Sequence, residues 1–167
     1  MKYSNIGGAI LAGGRGSRLG FPKAFLEVGG RPLIAQVLDV MRRFFGEILI
    51  ITDSAAPFSG IPAVLVVEDL VPECGPLGGV YTGLISSSRK DVFFAACDMP
   101  FLQEGLIKRM LEEEPGEAWD AVVPYGPKGI EPLHAIYAKS ALSGFEAALT
   151  KNEYAIVIRA ALACIQS

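Results

Sequence analysis

The sequence predicts an α/β fold, a Rossmann-like three-layer sandwich with a mostly parallel central sheet. Short apolar runs alternate along the chain with longer segments whose apolar residues recur at helical spacing. The short runs show no polar alternation, which is expected of strands that helices cover on both faces. The regular alternation of strand and helix favours a parallel, doubly wound sheet.

The predicted strands are short and strongly apolar. The first is GGAILA, the next two are EILIIT and AVLVV, and the most apolar is DVFFAAC. These four strands are residues 7–12, 47–52, 63–67 and 91–97. Residues 120–124 are a further predicted strand, and residues 133–138 are a weaker candidate. In a parallel sheet, ligands bind at the carboxyl ends of such strands.

The predicted helices fill the intervals between these strands. Residues 33–44 place apolar side chains at helical spacing, and residues 77–87 carry small residues on one side. Residues 103–114 form an amphipathic pattern that stops at Pro115, and residues 140–150 are the last predicted helix.

The composition indicates an ordinary folded protein. Of the 167 residues, 51% are hydrophobic and 20% are charged, with a formal net charge of -3, which predicts one domain spanning 1–167 and argues against disorder. The acidic balance also argues against a nucleic-acid partner. The scattered Cys74, Cys97 and Cys164 are typical of a reducing cytoplasm, and the run 9–12 is too short for a signal or a membrane span. We expect a cytoplasmic protein without a membrane partner and, as a working expectation, a monomer.

A glycine-rich loop with basic residues follows the first strand. It reads Gly13-Gly14-Arg15-Gly16-Ser17-Arg18-Leu19-Gly20, and Lys23 lies just beyond it. Glycines allow consecutive N–H groups to form an anion nest, and the basic side chains add positive charge, so the loop suits a triphosphate. The dinucleotide fingerprint is excluded by Leu19, and the P-loop by the lack of a Gly-Lys pair. A flexible surface loop is the alternative interpretation.

Two further motifs follow predicted strands. Asp69 comes after strand 63–67 and leads to Gly75-Pro76-Leu77-Gly78-Gly79, which otherwise indicates only a tight strand-to-helix turn. Asp98 comes after strand 91–97, where a buried carboxylate needs a partner. Mg²⁺ held by one carboxylate and phosphate oxygens would satisfy it, whereas the alternative is a turn or N-cap residue before Pro100.

These motifs resemble those of the molybdenum cofactor guanylyltransferases. The resemblance rests on Leu11-Ala12-Gly13-Gly14-x-x-x-Arg18-x-Gly20-x-x-Lys23, on D-x-x-x-x-x-G-P-L-x-G from Asp69, and on Cys97-Asp98-Met99-Pro100-Phe101. Residues 14–19 also resemble the sugar-nucleotide pyrophosphorylases, whose Pro-Lys pair lies at a longer spacing than Pro22-Lys23. The resemblance implies a fold of the nucleotide-diphospho-sugar transferase type.

The resemblance also implies an activity and a site. The activity is Mg²⁺-dependent transfer of GMP from GTP to molybdopterin, a phosphorylated pterin, with release of pyrophosphate. Arg18, Lys23 and Asp98 are the implied catalytic residues, with Asp98 as the metal ligand. The implied nucleotide-binding residues are Leu11, Ala12, Gly13, Gly14, Lys23, Thr52, Asp69, Gly78 and Asp98.

The acceptor is less well specified than the donor. Residues 131–137 resemble the family's acceptor side, where we interpret His134 as a structural histidine rather than a general base. The resemblance covers residues 6–138, and the family's later Asn-x-Asn-Thr-Pro string is absent, so we expect a tail helix of different origin or a shortened homologue. A cytidylyltransferase, a guanylyltransferase for another phosphorylated acceptor, and a non-catalytic nucleotide-binding module remain open.

Overall fold

The computed structural model describes residues 3, 5–13, 21–113, 119–127, 129–153 and, for the backbone alone, 162–166. The helices in these ranges are α1 (Leu33–Phe44), α2 (Gly75–Ser86), α3 (Glu104–Glu112) and α4 (Leu142–Thr150). The strands are β1 (Ile6–Leu11), β2 (Glu27–Val28), β3 (Arg31–Pro32), β4 (Ile48–Thr52), β5 (Leu65–Glu68), β6 (Asp91–Ala96), β7 (Ala121–Gly126), β8 (Gly129–Ile130), β9 (His134–Ala138) and β10 (Leu162–Gln166). Across these ranges, every helix is too short or too polar to cross a bilayer.

The central sheet has the strand order β10-β7-β9-β6-β1-β4-β5, with β8 paired to β7. The pairs β1–β4, β1–β6, β4–β5 and β7–β10 are parallel, which confirms the predicted mostly parallel sheet. Strand β9 runs antiparallel to both β6 and β7. Because of this reversal, the first residue of β9 lies at the edge where the parallel strands end, and His134 pairs there with Ala95.

Two apolar cores lie on the two faces of the sheet. Successive strand residues point to opposite faces, so Phe93 packs in one core and Phe94 in the other. Helices α1 and α3 cover the first core, where Val37 and Met41 of α1 are fully buried. Helices α2 and α4 cover the second core. The predicted three-layer sandwich is therefore confirmed.

The predicted long elements are all present, with shifted ends, and several short strands are additional. Strands β2 and β3 form a hairpin whose turn is Gly29-Gly30, both with positive φ, which a two-residue type I′ turn requires. The expectation of a tail helix is wrong for Leu162–Gln166, which pair as an edge strand with β7. A short apolar run has no periodicity that separates helix from strand, so pairing with β7 decides its conformation.

Candidate active site

Backbone hydrogen bonds continue the parallel sheet by one residue beyond its strands. Three of them tie neighbouring strand ends together: Ala12 N–H to the Ile51 carbonyl (2.8 Å), Cys97 N–H to the Leu11 carbonyl (3.0 Å) and Asp69 N–H to the Thr52 carbonyl (2.9 Å). They fix the points at which the chain leaves β1, β4, β5 and β6. Most predicted site residues therefore lie along one edge of the sheet, as parallel strands require.

The glycine-rich loop begins at this edge. Leu11 ends β1, Ala12 is buried, and Gly13 is exposed. Residues 14–20, which include Gly14 and Arg18, lie outside the described residues. A Cβ at Gly13 would lie 3.0 Å from Asp53 Oδ1, so glycine allows the loop to approach the residue after β4 closely.

Asp53 is a neighbour of the site that the motifs did not single out. The available signal was its position directly after the fully buried strand β4; Asp69 likewise directly follows β5, and Asp98 lies two residues beyond the end of β6. A rule based on strand ends would have found it, whereas the family pattern did not.

Asp69 is held in place by its own loop and by α2. Its Oδ1 accepts hydrogen bonds from Val71 N–H at 3.1 Å and from the Thr82 hydroxyl at 2.7 Å. The Thr82 oxygen in turn accepts from Leu70 N–H at 3.0 Å, and Thr82 is fully buried. The carboxylate therefore has a fixed orientation before any ligand arrives. Thr82 was missed because a single hydroxyl on a helix of small residues carries no sequence signal.

The glycines at the start of α2 bring this helix close to the Asp69 loop. Gly75 has φ +60°, and a Cβ at Gly78 would lie 2.7 Å from the Val71 carbonyl oxygen. The contact of Gly78 is therefore with backbone, as expected of a tight strand-to-helix turn. Because α2 follows β5, the first turn of α2 begins on the side of the sheet edge at which β5 ends, and the N–H groups of a first helical turn favour an anion.

Lys23 and Asp98 form an ion pair at the centre of the site. Lys23 Nζ lies 2.8 Å from Asp98 Oδ2, and the two side chains are 54% and 42% exposed. The hydrogen bond and the charge of Asp98 raise the pKa of Lys23, which therefore stays charged at neutral pH. Asp98 is not a helix N-cap, because α3 begins at Glu104 and its N-cap is Gln103.

Among the described residues, Asp98 is not part of a preformed metal cage. The described ranges contain no group of three or more His, Cys, Asp or Glu side chains that could hold an ion. A single partly exposed carboxylate suits Mg²⁺, which binds proteins through one or two carboxylates and takes its other ligands from phosphates and water. The residues therefore fit a metal that arrives with a nucleotide.

Two polar residues at the edge already have local roles. Thr52 is buried, and its hydroxyl donates to the Ser54 carbonyl at 3.2 Å. Cys97 is also buried, and this burial raises the pKa of its thiol to about 11. The thiol is therefore protonated at neutral pH, as expected of a packing residue.

A cavity of about 500 Å³ lies beyond Asp98, on the side of the sheet edge where β9 begins. We name it the β9 cavity, and its lining residues are Asp98, Met99, Pro100, Phe101, Leu102, Gln103, Leu106, Glu131 and His134. Asp98 is thus one member of the ion pair and also lines this cavity. Phe101 is 80% exposed.

His134 lies in the wall of the β9 cavity. It is 5% exposed, and its ring meets Phe93 edge-on at a centroid distance of 5.2 Å. Within the described part of the chain, its Nε2 atom is buried without a hydrogen-bond partner. Burial lowers the pKa of His134, although the charge of Glu131 opposes this, so the imidazole is neutral at pH 7. The ring packs as expected of a structural histidine, but its polar atom is unsatisfied.

Comparison with known proteins decides the family. The family model described as MobA-like NTP transferase domain matches residues 8–164. The chain belongs to this family of nucleotidyltransferases. It is 37% identical over 152 residues to a probable molybdenum cofactor guanylyltransferase of Methanothermobacter thermautotrophicus. The matched region covers 87% of this chain and 77% of the relative. It is 34% identical over 151 residues to a probable molybdenum cofactor guanylyltransferase of Pelotomaculum thermopropionicum, covering 90% and 72%.

The structures of MobA-like proteins agree with this membership. Molybdopterin-guanine dinucleotide biosynthesis protein A from Archaeoglobus fulgidus superposes with a TM-score of 0.80 at 26% sequence identity, covering 95% of this chain and 82% of that one. The predicted resemblance and the predicted type of fold are both confirmed. The relatives' names connect this family to guanylyl transfer in molybdenum cofactor biosynthesis.

Proposed function

We propose that this MobA-like protein transfers GMP from GTP to molybdopterin and releases pyrophosphate in a Mg²⁺-dependent reaction. The observation that carries the proposal is the Lys23–Asp98 pair, whose Asp98 also lines the β9 cavity. A cation for phosphates and a carboxylate for a metal are thus in contact at the point where donor and acceptor would meet. The relatives' names supply the guanine and the pterin.

The donor nucleotide is assigned to the edge formed by β1, β4 and β5. Backbone groups of residues 11–14 would bind the guanine edge, because a pocket that hydrogen-bonds a base rejects bases without the matching groups. Asp69 and the α2 turn at Gly78 would face the nucleotide from the opposite side. Thr52 would act by shaping the Ser54 turn, since its hydroxyl already has a partner there.

The phosphates are assigned to Lys23, Arg18 and Asp98. Asp98 would hold Mg²⁺, which when bound would supply neutralisation of the phosphate charge. Lys23 would then exchange its carboxylate partner for a phosphate oxygen, and with Arg18 it would stabilise the charge that develops on the leaving pyrophosphate.

The reaction requires no general base among these residues. An oxygen of the acceptor phosphate, already ionised at neutral pH, attacks the α-phosphorus of GTP in line. The new P–O bond forms as the bond between the α-phosphorus and the bridging oxygen breaks, and the electron pair leaves with pyrophosphate. Positioning and charge neutralisation carry such a reaction, which agrees with a neutral, buried His134.

The decisive experiment is a pyrophosphate-release assay of GTP, CTP, ATP and UTP with molybdopterin and Mg²⁺. We expect release with GTP, and loss of release when EDTA removes the metal. Preference for CTP would indicate a cytidylyltransferase, and release only with another phosphorylated acceptor would overturn the assignment of molybdopterin. Nucleotide binding without pyrophosphate release for any acceptor would indicate a non-catalytic nucleotide-binding module.

We also infer that residues 1–167 act as one cytoplasmic domain and as a monomer. The free thiols of Cys74 and Cys97 support a reducing compartment. Light scattering coupled to size-exclusion chromatography measures the mass directly. A mass twice the 17.8 kDa of the chain would show that the protein is a dimer.

A further inference from the structure

Helix α2 packs closely on the central sheet at two of its glycines. A Cβ at Gly79 would lie 3.0 Å from Leu11 Cδ2, and one at Gly83 would lie 2.5 Å from Phe94 Cε1. Leu11 ends β1, and Phe94 lies in β6. A larger residue at either glycine would have to displace a side chain of the packed core, so the glycines allow α2 to lie at this short distance from the sheet.

Thr82 lies between these glycines in the sequence, and its side chain is fully buried. The hydroxyl oxygen accepts a hydrogen bond from Leu70 N–H at 3.0 Å and lies 2.7 Å from Asp69 Oδ1. Since a carboxylate oxygen only accepts, the single hydroxyl proton is donated to Asp69. Thr82 therefore connects the buried face of α2 to the loop that follows β5.

The two carboxylate oxygens of Asp69 differ in their contacts. Both hydrogen bonds that the described residues donate to this carboxylate go to Oδ1, one from the Thr82 hydroxyl and one from Val71 N–H at 3.1 Å. Two donors on one oxygen restrict the rotation of the carboxylate, so the position of Oδ2 is restricted as well. Asp69 is half-buried, which leaves part of its surface accessible to a ligand.

We propose that Thr82 is a positioning residue for nucleotide binding and acts through Asp69. It holds the carboxylate so that Oδ2 can accept a hydrogen bond from an N–H or hydroxyl group of the donor nucleotide. Thr82 itself is fully buried and does not touch the ligand. Without its hydroxyl, the nucleotide would have to order the carboxylate on binding, and this cost would lower the affinity. The inference rests on the proposed function, in which Asp69 faces the nucleotide.

The test compares the GTP affinity of the wild type and two Thr82 variants by calorimetry. Thr82→Val keeps the shape of the side chain but removes the hydroxyl. We expect it to weaken GTP binding by about tenfold, the lower end of the range for groups that orient a metal ligand. Thr82→Ser keeps the hydroxyl and should bind GTP like the wild type, although the lost methyl group lowers its stability. Affinity should therefore follow the hydroxyl and not the stability.

A double-mutant cycle shows whether the effect passes through Asp69. In the Asp69→Ala background there is no carboxylate to position, so Thr82→Val should cause no further loss of affinity. Thr150→Val in α4 is the matched control, because its hydroxyl donates to the Glu146 carbonyl of its own helix at 2.8 Å, and it should bind GTP like the wild type. Circular dichroism checks the fold of each variant. If Thr82→Val does not fold, Thr82→Cys takes its place, since a thiol is a weak donor.

The outcomes separate this inference from the proposed function. Equal GTP affinity in the wild type and Thr82→Val, the same loss in both backgrounds, or weak binding by Thr82→Ser would overturn the positioning role. A loss that disappears in the Asp69→Ala background, in a protein that releases no pyrophosphate from GTP and molybdopterin, would support the positioning role and refute the reaction. Pyrophosphate release by Thr82→Val with an unchanged KM for GTP would do the opposite.

Discussion

The two sides of Asp98 are built on different principles. On the donor side, along the ends of β1, β4 and β5, the polar groups already have partners within the protein. Asp69 is bonded by Thr82 and Val71, and Thr52 by Ser54. In the β9 cavity, His134 Nε2 is buried without a hydrogen-bond partner among the described residues, and Phe101 is largely exposed.

The difference concerns when each side reaches its final arrangement. The donor side is preorganised, so binding there spends little free energy on ordering side chains. The β9 cavity is not preorganised in this way, because the described residues leave the buried His134 Nε2 without a hydrogen bond. Substitutions on the donor side should therefore act on GTP binding, and those in the cavity on the acceptor.

Asp98 borders both sides, and its substitution should have the largest effect. We expect Asp98→Asn to reduce pyrophosphate release by about a hundredfold or more, since even groups that only orient a metal ligand contribute 10- to 100-fold. The fold should remain, because the pair with Lys23 is exposed and contributes at most about 1 kcal/mol. Full turnover by this variant with Mg²⁺ would show that Asp98 is not the metal ligand.

Lys23 tests the donor side alone. We expect Lys23→Ala to weaken GTP binding by about 10- to 100-fold, the range for hydrogen bonds to charged groups. Calorimetry measures the affinity, and Lys108→Ala, which removes an exposed lysine from α3, is the matched control. If both variants bind GTP equally well, Lys23 does not contact the phosphates.

Gly78 tests whether the donor side depends on a close backbone contact. A Cβ at this position would lie 2.7 Å from the Val71 carbonyl oxygen, so Gly78→Ala should lower the free energy of unfolding by about 1–3 kcal/mol. Gly144→Ala in α4 meets open space and should raise it by about 0.5–1 kcal/mol. Urea denaturation measures the free energy of unfolding of both variants. A change of the same sign in both variants would contradict the close contact at Gly78.

The smallest effect is a pH dependence from the β9 cavity. His134 is the only histidine in the chain, and burial lowers its pKa from the usual 6.5. Below pH 6.5 the unfolded chain therefore takes up a proton that the folded protein does not, and the free energy of unfolding should fall as the pH falls. Denaturation of the wild type and His134→Phe between pH 7.5 and 5.5 should show this slope only in the wild type; parallel curves would mean that His134 titrates normally.

The sequence predicted the donor side better than the acceptor side, for a physical reason. Asp69 and Asp98 lie within two residues of the ends of apolar strands, and parallel strands bring their carboxyl ends to one edge, so spacing alone places them together. The reversed direction of β9 has no such local signal. His134 was therefore interpreted as structural, although strand pairing brings it to the same edge.

Other misses have the same origin in tertiary contacts. Thr82 acts through a bond to a residue 13 positions away, and β10 forms because β7 offers an open edge. The β2–β3 hairpin is an exception, since Gly29-Gly30 was a visible turn signal.

The ion pair at the centre of the site has a consequence for the approach of the nucleotide. An empty site with a bare carboxylate would repel a triphosphate, but here the ammonium of Lys23, 2.8 Å from Asp98, cancels that charge in advance. Asp98 would then be able to hold a metal that arrives with the nucleotide, while Lys23 would pair with the phosphates. Salt should therefore slow the encounter less than it would at a site with unbalanced charge.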